Sequence, residues 1–378
     1  MMTLLAGIAA LICAGGVLYQ WLGAVIVERW LAEAGALSTG TLPPVTLLRP
    51  LKADVPELDA KLDLLARAMA PGDQLVLGAA EGSAELAQAM ALLWAHPDRE
   101  IVVVPCREGA AANPKISKLV QMDGECRHGR LIVSDSEAVI DARWLEALRR
   151  EWLEHDCAVL TTPYRFCGAK TWPQRLDAAA ALLTLWPGLA VSRRWGRVDF
   201  TLGACTALRR RDLTEVGGWA AFGGFLAEDR ELGAALVARG ETIRLAATVA
   251  TLECDDLGWR DWWRHQCRLA TTYRVASPAG FAGMLLTHGA TAAVVLAALP
   301  VAARWRPWCV GWALGSLVLR WLAAGRLARL AGFALPGRFV CVLLAGGMET
   351  IAWVRSWVVG RVWWSGRWWR ISAGGKLR

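Results

Sequence analysis

The sequence has ten cysteines but no C-x-x-C pair. Without that spacing, a zinc site or a disulfide framework has no foundation, and reduced thiols are the simpler reading. Cys106, Cys157 and Cys341 lie in apolar runs, where a thiol acts as a small core residue. No zinc finger, basic zipper or other nucleic-acid motif is present either, so no nucleic-acid partner is expected. The net charge of +8, from 42 basic and 34 acidic residues, therefore needs another destination. The tail "RVWWSGRWWRISAGGKLR" supplies one, because arginine and tryptophan together suit the headgroup zone of a membrane.

Charge is absent from residues 3–27, "TLLAGIAALICAGGVLYQWLGAVIV". That run covers the ~20 residues a bilayer-spanning helix needs. No basic residue precedes it, and it is longer than the apolar region of a signal peptide. Residues 1–29 are therefore expected to be an uncleaved anchor. Glu28-Arg29 marks its exit, on the cytoplasmic side by the positive-inside rule. Hydrophobic residues make up 55% of the 378, and apolar segments return near the end. Residues 279–303 and 307–330 read as spans. Arg320, inside the second, must face protein or a polar cavity, since a mid-bilayer arginine costs ~2.5–3.5 kcal/mol on insertion scales. Residues 333–358 are interrupted by Glu349 and Arg355. A third span there would put the basic tail outside, so an interfacial or re-entrant placement is expected.

Between these regions, residues 40–258 change pattern. The short apolar runs 45–50, 74–79, 100–106, 130–135 and 157–162 read as strands, with helical segments near 57–69 and 82–95. Such alternation predicts an α/β unit with a mainly parallel sheet. Ligands in such sheets bind beyond the carboxyl ends of the strands, so the residues after each run are the ones to read. Residues 259–278, "WRDWWRHQCRLATTYRVASP", form an amphipathic stretch suited to a membrane surface.

"RLIVSD" runs into "SDSE", with Asp135 and Glu137 two apart. In extended chain both carboxylates would point the same way and could hold Mg²⁺ or Mn²⁺ through oxygen. "NPKISKL" brings Lys115 and Lys118 to a helix start, where an anionic ligand is favoured. "FLAEDREL" puts Glu228-Asp229 behind a Gly217-Gly218 break. Each motif alone is more simply a turn, a helix entry or a solvated charge pair.

Their order is more specific. "VTLLRPLKADVPEL", "NPKISKL", "SDSEAVI", "TLGACTALRRRDLTEVGGW" and "FLAEDREL" together resemble the membrane glycosyltransferases of the ceramide glucosyltransferase family, family 21, including its bacterial hopanoid-biosynthesis branch. The resemblance spans residues 40–275 and the tail "WWSGRWWRIS". It implies a GT-A fold, a UDP-sugar donor, a divalent metal and an inverting mechanism at the cytoplasmic face of the bacterial inner membrane. It gives Asp135 to the metal and the donor, with Glu137 beside it, and makes Asp229 the base that deprotonates the acceptor. Glu228 would support the loop, while Gly203 and Cys205 would border the donor.

Two positions depart from that family. Its donor-binding aspartate after the second strand is missing from "GAAEGSAEL", leaving Glu81 or Glu85 as substitutes. Its (Q/R)-x-x-R-W motif reads "HQCRL", with His265 first, Arg268 kept and Leu269 in place of tryptophan. Arg268 would hold the donor diphosphate, or else merely snorkel to the interface. The implied reaction is N-acetylglucosamine transfer to bacteriohopanetetrol, with ceramide as the neighbouring acceptor. A protein that kept the fold without the activity is the alternative of a different class.

Overall fold

The computed structural model describes residues 2–33, 40–256, 258–334, 337–372 and 374–378. Strands β1 (Thr46–Pro50), β2 (Gln74–Ala80), β3 (Glu100–Cys106) and β4 (Arg130–Ser134) match the apolar runs closely. Further along come β5 (Ala138–Val139), β6 (Val159–Thr161), β7 (Tyr164–Cys167), β8 (Cys205–Arg209), β9 (Ile243–Leu245) and β10 (Ala250–Glu253). The main sheet has seven strands in the order β3-β2-β1-β4-β8-β6-β9. All its pairs are parallel except those of β8, which runs antiparallel to β4 and β6. A second sheet, β5-β10-β7, closes one flank. The fold class is thus α/β with a mainly parallel sheet, as the alternation predicted.

Helices α1 (Met2–Ala32), α2 (Leu58–Ala68), α3 (Ala84–Ala95), α4 (Pro114–Met122) and α5 (Ala142–His155) come first. Burial explains the strand composition: every residue of β1 is buried, and Leu75, Val76 and Leu77 of β2 are fully so. At ~25 cal/mol per Å² of apolar area, such strands anchor the unit regardless of local propensity. One residue of β1 is a charge. Arg49 of β1 is buried and donates to Ser134 Oγ (3.1 Å) and to the Ala138 carbonyl (3.1 Å). It ties the first strand to the turn that follows β4.

The chain then forms α6 (Trp172–Ala180), a π-helical turn (Ala181–Leu185), α7 (Trp186–Trp195), α8 (Arg210–Glu215) and α9 (Glu228–Ala238). Next come α10 (Trp259–Ala276), α11 (Pro278–Gly283), α12 (Gly289–Ala298), α13 (Arg306–Ala331) and α14 (Arg338–Val358). Among the described residues, α1, α13 and α14 are long and apolar enough to cross a bilayer. The expected span 279–303 is instead two pieces, Pro278–Thr287 and Gly289–Ala298, bent by 49° at His288.

Packing gives these helices a direction. Trp30 and Val27 of α1 share a core with Leu182 and Trp186, while Ala6 and Ala9 at its other end pack with Leu296 and Ala313. α12 therefore leads away from the α/β unit, and α13 returns, burying Leu327 and Ala331 beside Trp186. α14 differs. Cys341 and Ala345 near its start pack with Leu176 and Trp186, and Ala352 near its end packs with Ala270 and Phe281. Both ends lie against α6, α7, α10 and α11, so α14 runs along the α/β unit. Arg320 is buried and reaches the Thr287 carbonyl, facing protein as its position required.

The tail is not a loose anchor. Strands β11 (Arg361–Trp364) and β12 (Arg367–Arg370) form a hairpin. Ser365 (φ 49°) and Gly366 (φ 77°) make its two-residue turn, in the positive-φ conformation such turns require. The final residues return to the α/β unit: Leu226 N–H donates to the Gly375 carbonyl (3.0 Å) and Leu377 N–H to the Gly224 carbonyl (2.8 Å).

Candidate active site

The carboxyl ends of β1 and β4 and the start of the reversed β8 meet at one edge of the main sheet. Pairing of Ser134 with Cys205 brings Asp135 beside Gly203, and Asp135 N–H donates to the Ala204 carbonyl (3.0 Å). A side chain on Gly203 would sit 3.5 Å from Lys115 Nζ, 3.6 Å from Asp229 Oδ2 and 3.7 Å from Asp135 Oδ2. Three sequence-distant charges thus converge on one glycine, whose missing side chain leaves room at their centre.

Lys115 organises the cluster. Its Nζ contacts Asp135 Oδ1 at 2.7 Å, lies 3.9 Å from Glu228 Oε1, and donates to the Gly203 carbonyl (2.9 Å). It is placed by the start of α4, which Asn113 caps by accepting from the Lys115 and Ile116 amides. The Asn113 amide also donates to Glu228 Oε2 (2.9 Å) and to the Phe225 carbonyl (3.2 Å). Asn113 therefore locks the loop before α9 to the loop before α4. Thr201 adds a second tie, donating through both N–H and Oγ1 to the Asp229 carbonyl (3.2 and 3.0 Å).

Carboxylates outnumber cations here, and their proton affinities show it. Burial pushes Asp135 and Asp229 above the usual carboxylate range; Lys115 opposes the shift in both, and each is raised further by other carboxylates, Glu137 among them for Asp135 and Asp135 for Asp229. Burial and the neighbouring Asp229 raise Glu228. On Lys115 burial disfavours charge, but Asp135 and Glu228 outweigh it and raise the ammonium. The site is a negative basin with Lys115 at its centre.

Glu137 does not share that basin's contacts. β4 ends at Ser134, and Ala138 N–H donates back to the Asp135 carbonyl (3.1 Å), so residues 135–138 form a turn rather than extended chain. The two carboxylates diverge. Glu137 pairs with Lys52 (2.7 Å), which also holds Asp255 (2.7 Å). Burial opposes ionisation of Glu137, but Lys52 overrides it and lowers its proton affinity. This turn replaces the extended spacing expected for Asp135 and Glu137, and among the described residues no three His, Cys, Asp or Glu side chains are grouped to hold a metal. Asp135, with Glu137 two residues on in the turn, keeps the chemistry of a hard-cation ligand. A magnesium-type ion held by one or two carboxylates and substrate phosphates needs no more.

α10 brings its motif to the same basin. Arg268 interacts electrostatically with Glu228, Asp229 and Asp177. Its Nη2 lies 2.9 Å from His265 Nδ1, and its guanidinium sits over Trp364, 5.7 Å from the ring centre. Burial, and then Arg268, hold His265 well below its usual value, so the neutral ring accepts from Arg268. The tail hairpin thus supplies an aromatic face to Arg268, next to the position where Leu269 replaces tryptophan. Arg264 sits likewise over Trp363 (4.5 Å).

Three expected residues stand elsewhere. Cys205 is fully buried at the start of β8, where its thiol packs into the core. Glu81 is exposed and faces Arg107 (3.4 Å). Glu85 lies in the first turn of α3, within electrostatic reach of Lys118. Lys118 donates to the Leu51 carbonyl (2.5 Å). Sequence reading missed Lys52, Arg49 and Asn113. Asn113 alone carried a local signal, as a helix cap before Pro114.

No curated protein matches the chain. Among solved structures, the mannosyltransferase PcManGT from Pyrobaculum calidifontis, in complex with GDP-Man and Mn²⁺, aligns with a TM-score of 0.57 at 18% identity, over 93% of this chain and 99% of that one. Staphylococcus aureus TarS residues 1–349, in complex with UDP-GlcNAc, aligns with a TM-score of 0.41 at 13% identity, over 89% and 99%. The first likeness supports the fold. The family model of glycosyl transferase family 21 matches residues 8–377. The chain, with its sheet-edge carboxylate basin and its membrane helices, belongs to glycosyl transferase family 21.

Proposed function

We propose that this glycosyltransferase moves N-acetylglucosamine from UDP-N-acetylglucosamine to a hydroxyl of bacteriohopanetetrol, with inversion, at the cytoplasmic face of the bacterial inner membrane. The observation that carries the reading is Asp229, poised beside Gly203 and Asp135 at the carboxyl end of the central strands and within electrostatic reach of Arg268 on α10. Its raised proton affinity suits a general base working near neutral pH. Asp229 takes the proton of the lipid hydroxyl as that oxygen attacks the anomeric carbon. The bond from that carbon to the diphosphate oxygen breaks, and UDP leaves with the electron pair. Arg268 and Lys115 face the growing negative charge, so their attraction strengthens in the transition state.

Mg²⁺ or Mn²⁺, bound through Asp135, would neutralise the diphosphate. The excess of carboxylates around Lys115 fits such a cation. Glu85 is the better placed of the two candidates for the nucleotide, since Glu81 faces outward to Arg107. α1, the broken α11–α12 unit and α13 would cross the bilayer, with α14 along the interface. Three crossings put the N-terminus outside and the arginine-rich tail inside, as the positive-inside rule asks.

Lipid analysis of a deletion strain tests the function. The strain should accumulate free bacteriohopanetetrol and lose its N-acetylglucosamine conjugate. The wild-type gene should restore the conjugate and Asp229→Asn should not. Loss of a ceramide glycolipid instead would reassign the acceptor, and an unchanged lipid profile would count against the activity.

A further inference from the structure

A second cavity lies between the α/β unit and the membrane helices. Tyr164, Asp177, Thr184, Tyr273, His288 and Glu349 supply its polar wall. Among the described residues no lysine or arginine lines it, although Arg320 acts electrostatically on His288 and Glu349, and Arg268 on Asp177. It begins where the basin ends: Tyr273 interacts electrostatically with Asp229 on one side and Glu349 on the other. Its far wall holds two irregularities. Thr184 belongs to the π-helical turn, a distortion that recurs at functional sites. His288 is the break between Pro278–Thr287 and Gly289–Ala298. Interrupted membrane helices are tolerated where they line a cavity.

Glu349 is the most demanding residue of the wall. It sits on an apolar helix packed against α6 and α10, where a carboxyl group is costly unless its oxygens find partners. One carboxyl oxygen accepts from Thr184 Oγ1 (2.7 Å), and the other has no hydrogen-bond partner among the described residues. Nearby, Thr350 links His288 Nδ1 and Thr291 Oγ1 at 2.7 Å each. Leu285 and Leu286 are exposed beside the cavity residues Met284 and Thr287 and form an apolar lip.

We infer that this cavity receives the head of a neutral lipid bearing several hydroxyls, and that Glu349, held by Thr184, binds one hydroxyl while another is presented to Asp229. This rests on the lipid-transferase reading and deepens it. The wall itself presents carboxyl and hydroxyl groups, with Arg268 and Arg320 acting on it only electrostatically, so a neutral head is favoured over a phosphate one. Glu349 is a positioning residue here; it touches the acceptor away from the reacting oxygen.

The test uses the full-length protein in phosphatidylcholine nanodiscs with UDP-N-acetylglucosamine. A long-chain alkyl tetrol, ceramide and polyprenyl phosphate serve as separate acceptors. Glu349→Leu should lower kcat/KM for the preferred hydroxyl lipid roughly tenfold to hundredfold, chiefly through acceptor KM, the range for losing a hydrogen bond to a carboxyl group. Glu349→Gln keeps an acceptor oxygen and should lose less. Thr184→Val should resemble the glutamine variant, and carries the test if Glu349 variants fail to fold. UDP affinity by calorimetry should stay within about twofold in all three. Wild-type kinetics in Glu349→Leu, preference for polyprenyl phosphate, or UDP affinity lost in step with transfer would each overturn the assignment. A wild type that glycosylates no lipid would instead remove the transferase reading on which it stands.

Discussion

At the scale of single residues, the site is governed by one lysine among three carboxylates. Lys115 lowers the proton affinity of both Asp135 and Asp229 against the upward push of burial. Lys115→Met removes that opposition, so both carboxyls should rise further. Asp229 must be ionised to act as base, and the acid limb of kcat/KM must then move to higher pH. The variant should lose more activity at pH 6 than at about pH 8, the limb reporting the coupled cluster rather than one residue. A parallel profile, merely scaled down, would make Lys115 a structural residue only. Asp229→Asn should reduce transfer ~10²–10⁴-fold, the usual cost of losing a general base, with UDP binding nearly intact. Near-normal transfer in that variant would remove Asp229 from the mechanism.

Much of this cluster was legible in order but not in contact. Asp135, Lys115 and Asp229 were singled out from three motifs, and the fold brings them to one glycine. The partner of Glu137 was not legible, because the run after β4 reads as extended chain. The turn at Asp135–Ala138 reverses that geometry, and the deciding partner, Lys52, lies 85 residues away. No local spacing announces such a pairing.

At the scale of elements, continuous apolar runs gave β1 to β4 within a residue or two, because buried parallel strands are written in composition. β8 was not foreseen. "GACTALR" reads as a turn, and only pairing with both Ser134 and Thr161 neighbours makes it a strand. The tail hairpin did carry a signal, Ser-Gly between two aromatic pairs, but was read as a lipid anchor. Its place over α10 yields a prediction. Trp364→Ala removes the aromatic face under Arg268 and should lower kcat severalfold to about tenfold, in line with a cation–π contact of ~0.5–2 kcal/mol. Trp368→Ala, on an exposed ring, should leave kcat close to wild type and weaken membrane retention after carbonate washing. The reverse pattern would return the hairpin to a purely anchoring role.

At the scale of the whole molecule, the tail's hydrogen bonds to Gly224 and Leu226 fix it on the side of the active site. The helix count from sequence left that side open, since α14 has the length of a span but packs along the α/β unit at both ends. A protease-cleavable tag at the C-terminus should therefore be protected in intact spheroplasts and cut in inverted vesicles, while an N-terminal tag shows the opposite. A C-terminal tag cut in spheroplasts would mean that α14 crosses.

The central claim is that Asp229 directs a lipid hydroxyl onto the anomeric carbon in a single displacement. The configuration of the product tests it most directly. UDP-N-acetylglucosamine carries an α-linked sugar, so purified protein in nanodiscs with bacteriohopanetetrol should yield a β-linked glycolipid by NMR, in step with UDP release. An α-linked product, or UDP released without any glycolipid, would contradict the account.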